Sequence, residues 1–427
     1  MTNTTRISVA ALIASSLAVG IWAETAQAQF QPRPPRPEPR EGESYEPIGL
    51  PVGGFRLYPA FEIAEYYDTN IFATKNREQD DLITVFRPSL NLRSNWNNHM
   101  LNLFASATAG VYADHGSENY EDIRAGFDGR IDIQRNWNVY GGLQFSKLHT
   151  ERGEPETETS FRTPNEYTLL EGKLGYYQKF NRFSVRAEGL INDLTYINNK
   201  GAAPGTIANR DRDRIEYTET LRLGYEFIER YEIWVQGGLN QRVYDRRVDR
   251  AGFERSSNGW EVVGGATIDF GGITQVEFFA GYREQDYDDA RLGTIRGPIF
   301  GLAGYWNPLV TVVVRPYVKR TIEETILLPF TGYWSTVFGI DVDYDFRPNI
   351  KVTASASYSM LDYKKARGVP GTFSRDDDYM RFSVGVRYQP TENFYLGPSY
   401  RYISRSSNIG GADYGRHVFG LRGGVQL

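Results

Sequence analysis

Cysteine is absent from all 427 residues, which excludes disulfides, thiolate metal centres and a cysteine nucleophile. Histidine is scarce, and His99, His115, His149 and His417 show no metal-ligand spacing. Ser146 with His149 is the nearest approach to a catalytic dyad, but nothing beside it reads as an oxyanion element. The acidic runs Glu154 to Glu158 and Asp376-Asp377-Asp378 read as solvated loop carboxylates, able to meet divalent ions beside lipopolysaccharide. No enzyme activity, cofactor or metal is therefore expected. An excess of charge of one sign is missing too: 48 basic and 53 acidic residues leave a net charge of −5, and no nucleic-acid partner is expected. Beyond residue 22 no apolar run reaches spanning length and mean hydropathy is −0.49, which excludes a helical inner-membrane protein.

What is present begins with Arg6, the apolar stretch Ile7 to Trp22 and the small-residue site Ala26-Gln27-Ala28. This is the pattern of a Sec signal peptide cut after Ala28, because an apolar stretch of roughly fifteen residues falls short of a spanning helix. Residues 29–54 follow as a Pro-rich periplasmic leader, since Pro32, Pro34, Pro35, Pro37 and Pro39 remove donors and hold the chain extended.

From Phe55 to Leu427 the composition is uniform and rich in Tyr, Phe and Gly, which favours strands and tight turns. Ile350, Val352, Ala354, Ala356, Tyr358 and Met360 alternate with Lys351, Thr353, Ser355, Ser357 and Ser359. Period two places one set on each face of a strand, and a helix would need 3.6. The same alternation runs from Leu101 to Val111, from Phe338 to Phe346 and from Phe382 to Tyr388. Short turns, such as Asn181-Arg182, Gly271-Gly272 and Asn307-Pro308, separate long polar connections such as Glu151 to Asn165, Asn198 to Asp213, Asp245 to Ser257 and Lys364 to Asp377.

That asymmetry predicts an all-β fold, a transmembrane antiparallel outer-membrane β-barrel of about 18 strands, with 16 as the alternative and the short turns periplasmic. Trp96, Trp137, Phe183, Phe227, Tyr231, Phe270, Trp306, Phe346 and Phe394 lie by short turns. Tyr112, Tyr196, Tyr244, Tyr287, Tyr363 and Tyr402 lie toward the long loops, so two aromatic belts are expected about 30 Å apart.

If the apolar face meets lipid, the other face lines a wide aqueous lumen. Its expected lining includes Arg87, Arg93, Arg124, Arg130, Arg186, Arg315, Asp341, Asp343 and Arg387, with the aromatics Tyr140, Tyr177, Trp234 and Tyr317. The charges serve either as a solvated wall of cross-strand ion pairs or as a ladder for a polar solute. The rings either fill gaps left by inward glycines or form a track on which sugars stack.

Leu57-Tyr58-Pro59-Ala60-Phe61-Glu62, then Tyr67-Asp68-Thr69-Asn70-Ile71-Phe72, then Arg87-Pro88-Ser89-Leu90 and the Trp96 turn carry a family resemblance. On these motifs the chain resembles the outer-membrane beta-barrel porin 2 family from about Phe55 to its end. The resemblance implies association with exopolysaccharide secretion, hence export of a polymer with periplasmic polysaccharide-export components as partners. The alternative expectation is a general or substrate-selective diffusion porin for small polar solutes. Outer-membrane lipids, lipopolysaccharide and the barrel assembly machinery are expected partners of either. Phe419, Leu421, Gly423, Val425 and Leu427 alternate as an assembly signal does, but end on Leu where barrels commonly place an aromatic.

Overall fold

The computed structural model describes residues 45, 47–155, 163–200, 206–207, 209–325, 327–367 and 374–427. The signal peptide and most of the Pro-rich leader lie outside the described residues. Eighteen strands build the wall: β1 (Phe55–Asp68), β2 (Asp81–Ser94), β3 (Met100–Tyr112), β4 (Tyr120–Gln134), β5 (Trp137–Thr150), β6 (Asn165–Phe180), β7 (Phe183–Tyr196), β8 (Arg214–Ile228), β9 (Tyr231–Tyr244), β10 (Ser257–Asp269), β11 (Thr274–Tyr287), β12 (Thr294–Leu309), β13 (Val312–Glu324), β14 (Phe330–Arg347), β15 (Ile350–Lys365), β16 (Asp376–Thr391), β17 (Phe394–Ser407) and β18 (Tyr414–Gln426). Each pairs antiparallel with its sequence neighbour, and β18 closes on β1 from Ala60↔Gln426 to Asp68↔Val418. Closure leaves no sheet edge with unpaired backbone, which lipid would penalise at several kcal/mol per group. The count settles at eighteen rather than sixteen.

Alternation sets the two faces. Phe61, Ile63, Leu103, Phe127, Leu143, Leu174, Leu221, Val262, Phe338 and Phe419 are exposed on the outside, while their strand neighbours turn inward. Polar residues on the inward face then find cross-strand partners, so hydrophobicity outside and charge inside follow from one period.

Short turns gather on one rim and long connections on the other. In the Phe270–Ile273 turn both Gly271 and Gly272 take positive φ, 80° and 82°, a conformation glycine adopts without strain. The turn expected at Asn307-Pro308 lies further on, because β12 continues to Leu309 across a register shift between Trp306 and Leu309. A bulge tolerates proline's missing N–H, so Pro308 marks an irregularity inside the strand.

The aromatic belt at the short-turn rim is present, with Trp96, Phe183, Phe227, Phe270, Trp306, Phe346 and Phe394 exposed. The expected far belt differs. Tyr112, Tyr196, Tyr244, Tyr287 and Tyr363 have the parity of the inward face, and Tyr244, Tyr287 and Tyr363 are buried. The Tyr244 and Tyr287 hydroxyls donate to Glu324 inside, a partner that lipid would not supply. Tyr67, Tyr217, Trp260, Tyr282 and Tyr358 are exposed toward that rim instead.

Three segments fold back onto the barrel. Leu50–Val52 pairs with Phe55–Leu57, and Gln389 reaches the Tyr45 carbonyl at 2.9 Å, so the end of the leader folds back against the short-turn mouth. Residues 151–154, after β5, cross to β16, β17 and β18, as their contacts with Arg381, Arg401 and Arg416 show. The third is the far end of the β13–β14 hairpin: the β12–β13 ladder stops at Phe300↔Arg320, and beyond it Glu324 meets Arg242, Tyr244 and Tyr287. There Ile322 and Trp334 join Trp234, Val263, Ile295 and Ile299 in the largest apolar cluster, whose burial offsets the lost ladder bonds.

Candidate translocation pathway

All thirteen expected lining residues fall on the inward face: eleven have the parity opposite to the exposed apolar residues of their strand, and Arg315 and Tyr317 pair in register with the inward-facing Asp341 and Gly339. Arg87 donates to Glu62 at 2.6 Å and to Tyr66 at 3.1 Å. Arg130 pairs with Asp132 at 2.9 Å and Arg315 with Asp343 at 3.0 Å. Arg93 lies over the Tyr58 ring at 5.1 Å and Arg186 over Tyr177 at 5.5 Å. Arg124 and Asp341 sit on the same face, opposite Ser146 and Arg315 in register. Across the lumen wall Arg222 meets Glu277 at 3.1 Å, Arg283 meets Glu261, and Lys173 meets Glu188 at 3.2 Å. Most of the wall is thus a lattice of ion pairs, which is how so many charges coexist in a membrane-embedded sheet.

The inward rings are filled into glycine gaps. A Cβ on Gly175 would come within 2.2 Å of Tyr140, one on Gly339 within 2.1 Å of Tyr317, and one on Gly265 within 2.5 Å of Trp234. Tyr66 lies over Gly420 and Tyr395 over Gly424 in the same way. Gly142 and Gly238 hold no ring: the first meets Asp128 and the second Glu261. Cations reach the same rings, with Arg222 3.7 Å from the Trp234 centroid, Arg387 3.7 Å from Tyr395 and Lys173 5.6 Å from Tyr140. Tyr140 also donates to Glu188 at 2.8 Å. Flattened on the wall and already met by cations, these rings offer a passing sugar little free π-face.

The sequence reading missed the part played by the rim acids. Glu154, expected to be solvated, is 8 % exposed and accepts from Arg381 at 3.0 Å. Glu151 meets Arg416 at 3.2 Å and Arg401 at 3.5 Å. The Tyr379 and Tyr414 hydroxyls both donate to the Gly153 carbonyl at 3.2 Å, and Gly153 has φ +86° with a prospective Cβ 2.6 Å from Tyr414, so only glycine fits. Burial alone would raise the Glu151 carboxyl, but Arg401 and Arg416 hold it down, to about 2. Nothing in the local pattern of residues 151–154 distinguishes a connection that folds inward from one that projects outward. Among the described residues no cluster of His, Asp or Glu suits a metal ion.

Residues 43–427 match the family described as "Putative beta-barrel porin 2". No curated protein matches the chain. Solved structures similar to it include OccK3 (OpdO) of Pseudomonas aeruginosa, 14 % identical over 87 % of this chain and 96 % of that one with a TM-score of 0.45. OpdL from the same organism is 10 % identical over 88 % and 100 %, TM-score 0.43. The siderophore receptor PirA, also from Pseudomonas aeruginosa, is 8 % identical over 87 % and 80 %, TM-score 0.43. At such identities the likeness concerns the barrel fold.

Proposed function

This chain belongs to the beta-barrel porin 2 family of outer-membrane β-barrels, and we propose that it works there as a selective diffusion pore for small polar solutes. The observation that carries this reading is the pair of inward-folded segments, residues 151–154 and the end of the β13–β14 hairpin, each tied on the lumenal side to strands that are not its neighbours in the sheet. Eighteen strands alone would leave a wide aqueous channel. Crossing segments narrow it and place charges where a solute must pass.

Export of a sugar polymer is the competing reading. A stacking track along Tyr140, Tyr177, Trp234 and Tyr317 would support it, but three of these rings are pinned on glycine and three are approached by cations. Selection by charge and size accounts for the lumen better. Periplasmic export components are not needed by a diffusion pore; the assembly machinery, lipids and lipopolysaccharide remain its proposed partners. Long polar connections at one rim are proposed to face the exterior.

Deleting the gene is expected to slow uptake of small polar nutrients and leave extracellular polysaccharide unchanged. Loss of secreted polymer with normal nutrient uptake would instead favour export.

A further inference from the structure

We propose that the lumenal wall of β16, β17 and β18 carries a binding subsite for an oxyanion, the carboxylate or phosphate of a small solute, formed by Arg387 and Arg422. The inference rests on the pore reading and deepens it by naming a solute class. Arg422 is 6 % exposed, yet its side chain makes no hydrogen bond or ion pair among the described residues, and its Nε is buried without a partner. The Arg387 Nε is likewise buried and unpartnered. A buried guanidinium without an anion is costly, and elsewhere on this wall the carboxylates are present: Glu154 for Arg381, Asp68 and Glu151 for Arg416.

Arg387 and Arg422 flank a shallow floor of small residues. Gly397 pairs with Arg422 and, adjoining the Leu396↔Tyr388 pair, lies beside Arg387. Gly385 pairs with Ser399 on the same face. A Cβ on Gly385 would already stand 3.6 Å from the Arg422 guanidinium, so larger residues would fill the floor. Arg387 is held against the Tyr395 ring and by Gln426 at 2.5 Å, which fixes its fork before a ligand arrives. Glu62, which pairs with Gly424 in register, is engaged by Arg87 and Tyr395. Planar guanidinium forks on a small-residue floor suit bidentate capture of an oxyanion.

The test is calorimetric titration of the detergent-solubilised full barrel with succinate and with inorganic phosphate, beside ion conductance in planar bilayers. Saturable binding is expected for the unaltered protein, weakened at least tenfold in Arg387→Gln/Arg422→Gln with folded, heat-modifiable mobility retained. If that variant does not fold, Arg422→Lys takes its place: it keeps the charge and loses the fork, so weakened binding supports the subsite. Binding of succinate alone assigns a carboxylate, and binding of both assigns oxyanions in general. No binding of either anion, or unchanged affinity in the folded variant, overturns the subsite. A barrel that binds anions but conducts no ions would overturn the pore reading and leave the subsite standing.

Discussion

At the scale of single residues, the lumen is built by glycines and rings acting together. Gly175 exists to let Tyr140 lie flat, and Tyr140 in turn reaches Glu188. Gly175→Val is therefore expected to displace the ring and destabilise the barrel by about 1 to 3 kcal/mol, as overpacking does. Adding Tyr140→Ala removes the clash, so the double variant should recover part of the loss, a coupling readable in urea unfolding of the reconstituted barrel. Additive losses would mean that the two positions do not touch. The wall itself gives a second contrast. Ala354 has the parity of the lipid face and Thr353 that of the lumen, opposite Asp343 and Gly385. Ala354→Arg is expected to cost up to about 2 to 4 kcal/mol depending on depth, and Thr353→Arg much less. Equal heat-modifiable mobility and urea midpoints for the two variants would reverse the assigned faces.

At the scale of elements, strands were legible and inward-folding connections were not. Period two in β14, β15 and β16 states which side each residue faces, because lipid and water impose opposite demands on adjacent positions. All thirteen candidate lining residues therefore had a face that could be read. The destination of residues 151–154 had no such signal: it depends on arginines more than two hundred residues away in β16 and β18. The inward face of Tyr244 and Tyr287, by contrast, was legible in that period, since both have lumenal parity and donate to Glu324 there.

The seating of residues 151–154 has a pH signature. Glu151 has its carboxyl lowered from 4.5 to about 2, so seating is at full strength above the ordinary value and is lost as pH falls toward the lowered one. Single-channel conductance should hold steady from about pH 8 to 5 and rise below about pH 4 as the segment is released. Glu151→Gln/Glu154→Gln should show the raised conductance already at neutral pH. A double variant that conducts like the unaltered barrel would show that these carboxylates do not hold a constriction.

At the scale of the whole molecule, alternating turn lengths and two-residue periodicity were enough to give a closed barrel of eighteen strands, since only closure satisfies every backbone group in lipid. The size and selectivity of the opening were not legible, because they arise from two segments, residues 151–154 and the end of the β13–β14 hairpin, folding back into a cylinder that is otherwise wide. The central claim is that these segments make the cylinder a passage for small polar solutes rather than for a polymer. Liposome swelling with the purified barrel, in a series of solutes from amino acids and small carboxylates through disaccharides to long oligosaccharides, tests it most directly. Rapid entry of the small solutes that falls away steeply with size is the predicted result; oligosaccharides entering as readily as amino acids, or no solute entering at all, would contradict it.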